Sequence, residues 1–124
     1  DRSANRSYRD KTERVYNECD LDNVLNMREK MGEKPVVVLM EMHNPAVLSE
    51  MEPAADGIAV QFGVTKRAMF SVLFGDSPAE GKLPYHLPKD MDTIEQHCED
   101  LFNDYEPYID SEGNRYVYGF GLKL

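Results

Sequence analysis

The stretch that most constrains the fold is "PVVVLME", Pro35 to Glu41. Val36, Val37, Val38, Leu39 and Met40 are apolar on consecutive positions, and three of them are β-branched. A strand with one wet face alternates. An unbroken run reads as a strand covered on both faces, the pattern of a parallel sheet. A second such run, "DGIAVQFG", is bounded by Gly57 and Gly63, and between the two "NPAVLSEME" is expected to form a short helix from near Pro45.

Helical spacing surrounds these runs. In "CDLDNVLNMREKMGEKP" the residues Leu21, Val24, Leu25 and Met31 recur on one face. Asp20 is the expected N-cap, Gly32 the left-handed residue after the last turn, and Pro35 prevents continuation. "TKRAMFSVLFGD" places Thr65 as a cap, a stripe at Ala68, Met69, Val72 and Leu73, and Gly75 at the end. "KLPYHLP" reads as a third strand whose two prolines confine it to an edge or to short pairing. "KDMDTIEQHCEDLF" is helical in pattern through Met91, Ile94 and Cys98, and "EPYIDSEGNRYVYGFGL" reads as two extended pieces around a Ser-Glu-Gly-Asn turn. Strand, helix, strand, helix, strand predicts an α/β fold, a three-layer sandwich with a mostly parallel sheet flanked by helices. Residues 1–19 read as a polar arm or loop and 20–124 as the domain.

Charge and composition exclude several functions. The 124 residues suit one domain, and a net charge of −9 with scattered acidic residues argues against nucleic acid and against an anionic membrane face. The longest apolar run, Val36 to Met40, is far short of a membrane span. Cys19 and Cys98 lack metal spacing and are expected as free, partly buried thiols, with one bridge between them as the alternative. No metal and no cofactor is expected. "MHNPAV" after the first strand has no glycine to cradle a phosphate.

Two separated motifs carry a resemblance. "VLFGDSPAEGKLPYHLP" followed by the terminal "YGFGL" resembles the C-terminal domain of glycoside hydrolase family 3. There a Leu-Phe-Gly-Asp helix end runs into a Pro/Ser/Gly turn and then Gly-Lys-Leu-Pro. "KPVVVLMEMHNPAVLSEMEPAADGIAVQFG" and the entry "YNECDLDNVLNMREKMG" are similar to the same domain, so the likeness runs from Tyr16 to Leu122. Two segments depart from the family pattern: "SPAEG" replaces its Asn-Pro-Ser-Gly turn, and "FGVTKRAMF" replaces a glycine-rich lead into the helix.

The resemblance implies a retaining β-glycosidase of the β-glucosidase type, acting on carbohydrate. Its nucleophilic aspartate would lie on an upstream (β/α)8 barrel whose mouth this domain completes, leaving the fragment alone inactive. It places a general acid/base glutamate on a loop before the Leu21 helix in many members, where Glu13 and Glu18 are the candidates here. Independently, open α/β sheets bind ligands beyond the carboxyl ends of their strands. Glu41, His43 and Asn44, which follow the first strand, are thereby candidates to hydrogen-bond sugar hydroxyls, against the plainer reading of a capped loop. Tyr105, Tyr108, Tyr116 and Tyr118 suit either sugar stacking or cross-strand packing. His86 and His97 read as structural. An exposed sheet edge makes a homo-oligomer possible. The rival reading is a stand-alone flavodoxin-like module that holds a small ligand or a protein partner without catalysis.

Overall fold

The computed structural model describes residues 18–98, 101 and 104–123. Its elements are α1 (Glu18–Met31), β1 (Val37–Glu41), a 3-10 turn (Glu52–Ala54), β2 (Gly57–Gln61), α2 (Lys66–Leu73) and α3 (Met91–Gln96). The chain is a small α/β domain. Strands β1 and β2 pair in parallel, with Val37 opposite Gly57 and Glu41 opposite Gln61.

Local chemistry sets the ends of these elements. Gly32 takes φ 58° after α1 and Gly75 takes φ 79° after α2, backbone that a side chain would strain. The Thr65 hydroxyl accepts from the Ala68 amide, and the Asp90 carboxylate accepts from Thr93 N–H at 2.7 Å to start α3. Asp20 is not a cap: α1 already begins at Glu18, so Asp20 lies within the helix, and the polar arm yields Glu18 and Cys19 to it. The remaining arm residues lie outside the described ones.

One carboxylate ties the first three elements together. Asp56, at the entrance to β2, accepts from Val36 N–H at 2.7 Å and from Arg28 Nη1 at 3.0 Å, while its own N–H donates to Val36 O at 2.8 Å. The Arg28 fork also reaches Lys34 O. Asp56 therefore sets α1 against the paired entrances of the two strands, and the register follows.

The core lies on one side of the sheet. Met42, Leu48, Met51, Leu83, Leu87 and Tyr108 form its buried cluster, and Val38, Met40, Ile58 and Val60 pack onto it from alternate positions of β1 and β2. Leu21 and Val24 of α1 join from outside. Among the described residues, it is the alternate positions Val38 and Met40 through which β1 meets this cluster. Val37 is 43% exposed and the strand interior is half-buried among the described residues.

Three further expectations change. "NPAVLSEME" does not form a helix at Pro45; the link turns through Leu48, where Met51 and Glu52 N–H both donate to its carbonyl, and only Glu52–Ala54 closes as a 3-10 turn. Leu48 is 1% exposed, and burying it holds the link on the core. The α2 stripe is at most half-buried, with Ala68 exposed and Phe70 stacked on Phe74 at 6.1 Å. "KLPYHLP" is not a strand of the parallel sheet. Leu83 and Leu87 donate to Phe120 O and Tyr116 O instead, and the short pairing anticipated from its prolines is with the C-terminal segment.

That segment answers for the late glycines. Gly121 crosses Gly81 so closely that a β-carbon on it would sit 2.3 Å from the Gly81 carbonyl oxygen. Gly81 itself lies in irregular chain. Phe120 packs on Tyr116 at 5.1 Å, whereas Tyr118 is exposed. The Ser-Glu-Gly-Asn turn forms as read: Asp110 accepts from Glu112 and Asn114 amides, Gly113 takes φ 85°, and Ile109 bridges Arg115. Cys19 and Cys98 are free and exposed rather than partly buried, since Cys98 falls two residues beyond the end of α3.

Candidate functional site

The chain leaves β1 by alternation. Met42 turns inward, 3% exposed, and its N–H donates to Gln61 O, which continues the strand pairing by one step. Glu41 and His43 therefore turn outward on either side of it. His43 Nε2 lies 3.7 Å from Glu41 Oε1, with the two side chains 78% and 56% exposed, so solvent screens the pair. Asn44 is exposed beside them. Of the two glutamates implied as acid/base candidates, Glu13 lies outside the described residues. Glu18 is the first residue of α1 rather than part of a loop preceding it.

One residue further, Pro45 enters the wall of a cavity. This apolar space of about 250 Å³ is lined by Pro45, Pro88, Ile94, His97 and Tyr105. A polar space of about 310 Å³ adjoins it, lined by Thr93, Gln96, His97, Asp104, Tyr105 and Glu106. His97 and Tyr105 line both spaces of this open cleft, and Pro45 joins it from the segment after β1.

Each wall has a local cause. The Asp90 cap starts α3, and after six helical residues His97 leaves it in extended backbone, its N–H bonded to Ile94 O. Asp104 then closes the loop: one oxygen pairs with His97 Nδ1 and the other accepts from Cys98 N–H at 2.9 Å. The Cys98 amide, with the His97 ring after it, holds the Asp104 carboxyl below its ordinary pKa against the opposing effect of desolvation, so it stays an ionised acceptor. Tyr105 donates its hydroxyl to His86 O at 2.8 Å, and its ring meets His97 edge-on at 4.8 Å and His86 at 6.1 Å. Desolvation, and then the Asp104 charge, push the Tyr105 phenol above its usual value. Below it, Pro88 bridges Pro107, Lys89 N–H donates to Glu106 O, and Lys89 Nζ pairs with Glu106 Oε2 at 3.2 Å.

The tyrosines differ in their surroundings. Tyr108 and Tyr116 pack together at 5.4 Å, Tyr108 donating to Glu52 at 2.9 Å, while Tyr105 faces the cleft. His97 is more than a helix-surface residue, because it orients Asp104 and lines both lobes. Nothing in the sequence marked Asp104, which reaches its partners only when the loop after α3 closes. Among the described residues, no group of three His, Cys, Asp or Glu side chains is placed to hold a metal ion. Chemically the cleft can accept hydrogen bonds and cover a small apolar face.

Comparison with known proteins agrees with the motifs. Residues 6–124 match the sequence profile described as "Glycosyl hydrolase family 3 C-terminal domain". Beta-glucosidase C of Emericella nidulans is 37% identical over 89 residues, 72% of this chain and 13% of that protein. Probable beta-glucosidase C of Aspergillus flavus is 34% identical over 88 residues, 71% of this chain and 13% of that protein. A periplasmic beta-glucosidase/beta-xylosidase of Dickeya chrysanthemi is 28% identical over 88 residues, 71% of this chain and 12% of that protein. The matched part of the chain thus spans about an eighth of the length of these relatives. No solved structure matches. The chain belongs to the glycosyl hydrolase family 3 C-terminal domain family.

Proposed function

We propose that this chain is the C-terminal-domain part of a longer retaining β-glycosidase of the β-glucosidase type, which hydrolyses O-glycosidic bonds. The family match over residues 6–124 carries the reading, and the relatives named as beta-glucosidases support it. The chain spans so little of those relatives that the reaction belongs to the longer protein.

Retention requires two carboxyl groups about 5–5.5 Å apart, one a nucleophile and one a general acid/base. In this reading the nucleophile is an aspartate of a preceding (β/α)8 barrel, whose mouth this domain completes. Glu13 or Glu18, at the entry to the domain, protonates the leaving group, and Glu41, His43 and Asn44 contact sugar hydroxyls. The two parallel strands belong to a larger, mostly parallel sheet between helical layers. A two-stranded parallel pair is short of what an independently stable sheet needs. By the same reasoning, the isolated chain self-associates through the outer edge of β1 or β2.

The test is an assay of the whole coding region beside the 124-residue chain, on an aryl β-glucoside. The whole protein is expected to release the aryl group and to give the β-anomer first by NMR, while the chain alone releases none, because the covalent route needs the missing aspartate. Release of the α-anomer refutes retention. Comparable turnover by the chain alone refutes the division of labour.

A further inference from the structure

The entrance of β2 carries a dipeptide with a chemistry of its own. Asp56–Gly57 is the one Asp–Gly pair in the 124 residues, and no Asn–Gly pair is present. We propose that this junction is a modification site, at which Asp56 isomerises spontaneously to isoaspartate. Arg28 and Val36 hold it closed while α1 is docked, and it converts once α1 comes away. The inference needs nothing from the glycosidase reading.

The reaction is intramolecular. The Gly57 amide nitrogen attacks Asp56 Cγ, so that a C–N bond forms and a C–O bond of the carboxyl breaks. The amide proton and the hydroxyl leave together as water. Water then adds back to the cyclic imide. Addition at Cγ restores aspartate, whereas addition at the former main-chain carbonyl leaves the main chain running through Cβ and Cγ. One water leaves and one returns, so mass is unchanged and no co-reactant is needed. Glycine hinders the attack least, having no side chain beside the nitrogen.

The fold does not demand that glycine. Gly57 is not among the positive-φ glycines, and a β-carbon on it would meet Val37 Cγ2 at 3.8 Å, an ordinary contact. Water reaches the junction, since the Asp56 side chain is 51% exposed. Orientation is what holds the reaction back. Asp56 Oδ2 accepts from Val36 N–H at 2.7 Å and from Arg28 Nη1 at 3.0 Å, which fixes the side-chain torsion. Pairing of Gly57 opposite Val37 fixes the peptide. The carboxyl carbon is therefore not free to rotate into line with the amide nitrogen, as ring closure requires. Arg28 belongs to α1 and also holds Lys34 O, so undocking of the helix removes one restraint and loosens the other. In isoaspartate the main chain is one carbon longer and the carboxylate sits on a shorter stub. The bonds to Val36 and Arg28, and the register they set, are then lost.

The test incubates the 124-residue chain at neutral pH, folded and in guanidinium chloride. Isoaspartate at residue 56 is read by isoaspartyl methyltransferase labelling and peptide mapping. The folded chain is expected to accumulate it at least about tenfold more slowly than the unfolded one, the factor that a native bond to a charged partner supplies. In denaturant, residue 56 is expected to convert ahead of the Asp76–Ser77 and Asp110–Ser111 pairs. Arg28→Ala, shown to be folded by circular dichroism, is expected to raise the folded rate several-fold. Should it not fold, Arg28→Lys, which keeps the charge and loses the fork, takes its place with the same expectation. Gly57→Ala keeps the restraints and is expected to slow conversion in both conditions. Equal rates folded and unfolded, or no isoaspartate at residue 56 in denaturant, overturns the proposal. So does a folded Arg28 variant no faster than the parent chain, or Gly57→Ala converting as fast as the parent in denaturant.

Discussion

Replacing Gly121 by alanine tests how the C-terminal segment is locked to the rest of the domain. The new β-carbon would lie 2.3 Å from Gly81 O, 3.2 Å from Lys82 Cδ and 3.4 Å from Gly81 C. An ordinary carbon–oxygen contact is about 3.3 Å or more, so one backbone must move by about 1 Å. The Lys82 side chain can swing aside; the Gly81 carbonyl cannot. That displacement strains the neighbouring bonds from Leu83 N–H to Phe120 O and from Gly119 N–H to Leu83 O, each 2.8 Å, and the Lys82 Nζ bond to Gly121 O, also 2.8 Å. Overpacking of this kind, or the loss of one or two net hydrogen bonds, costs about 1–3 kcal/mol. At about 4 °C per kcal/mol for a domain of this size, Tm is expected to fall by about 4–12 °C. Gly81→Ala is the control. Nothing lies within 4 Å of a β-carbon there and its φ is not positive, so its stability is expected to stay within about 0.5 kcal/mol or to rise slightly. Urea unfolding followed by circular dichroism reads both. Gly121→Ala as stable as the parent chain, or Gly81→Ala equally damaged, refutes the close crossing.

Other consequences follow from the same contacts. Asp56→Ala removes the acceptor for Val36 N–H and Arg28, and urea unfolding is expected to show a loss of about 1–3 kcal/mol. Tyr116 is pushed up to about 12 by desolvation, then by the charge and hydrogen bond of Asp110, and Tyr108 is raised still further by burial and by Glu52. Both folded-state values exceed the unfolded value near 10, so their stabilising effect is complete below about pH 10 and is lost as pH rises through 12. Ultraviolet titration of tyrosinate is expected to show a late, cooperative step coincident with loss of the circular dichroism signal; complete reversible ionisation near pH 10 in a folded chain contradicts it. Light scattering of the isolated chain is expected to show mass rising with concentration through the sheet edges, and a constant monomer mass rules that association out.

What the sequence disclosed was chemistry closed within a few residues. Thr65 caps the turn three residues ahead, Gly32 and Gly75 reverse the chain where they stand, and Asp110 folds the Ser-Glu-Gly-Asn turn around itself. Such features need no partner to be read. The consecutive apolar residues of β1 suit an environment covered on both faces. Only alternate positions, Val38 and Met40, find the core, and Val37 stays exposed. "KLPYHLP" failed as a third parallel strand for a related reason. Its prolines leave few donors, and Leu83 and Leu87 give theirs to residues 37 and 29 positions away. No local pattern announces that distance.

The cleft follows the same division. The rule that places ligands beyond strand ends points to Glu41, His43 and Asn44, and Pro45, the next residue, is the one that lines a cavity. The opposite wall is built by long-range pairing: Leu87 and Tyr108 bond across, Pro88 bridges Pro107, and these contacts bring Tyr105 and Glu106 against α3. Leu87 is also bound to Tyr116, and Tyr116 packs on Phe120, next to the Gly121 crossing. The late prolines and glycines thus act at a distance from where they sit. By keeping the terminal segment close, they brace the paired chain whose far end carries Tyr105. Loosening the Gly121 crossing is therefore expected to shift the ring resonances of Tyr105 in an NMR spectrum, although the two are far apart in the chain.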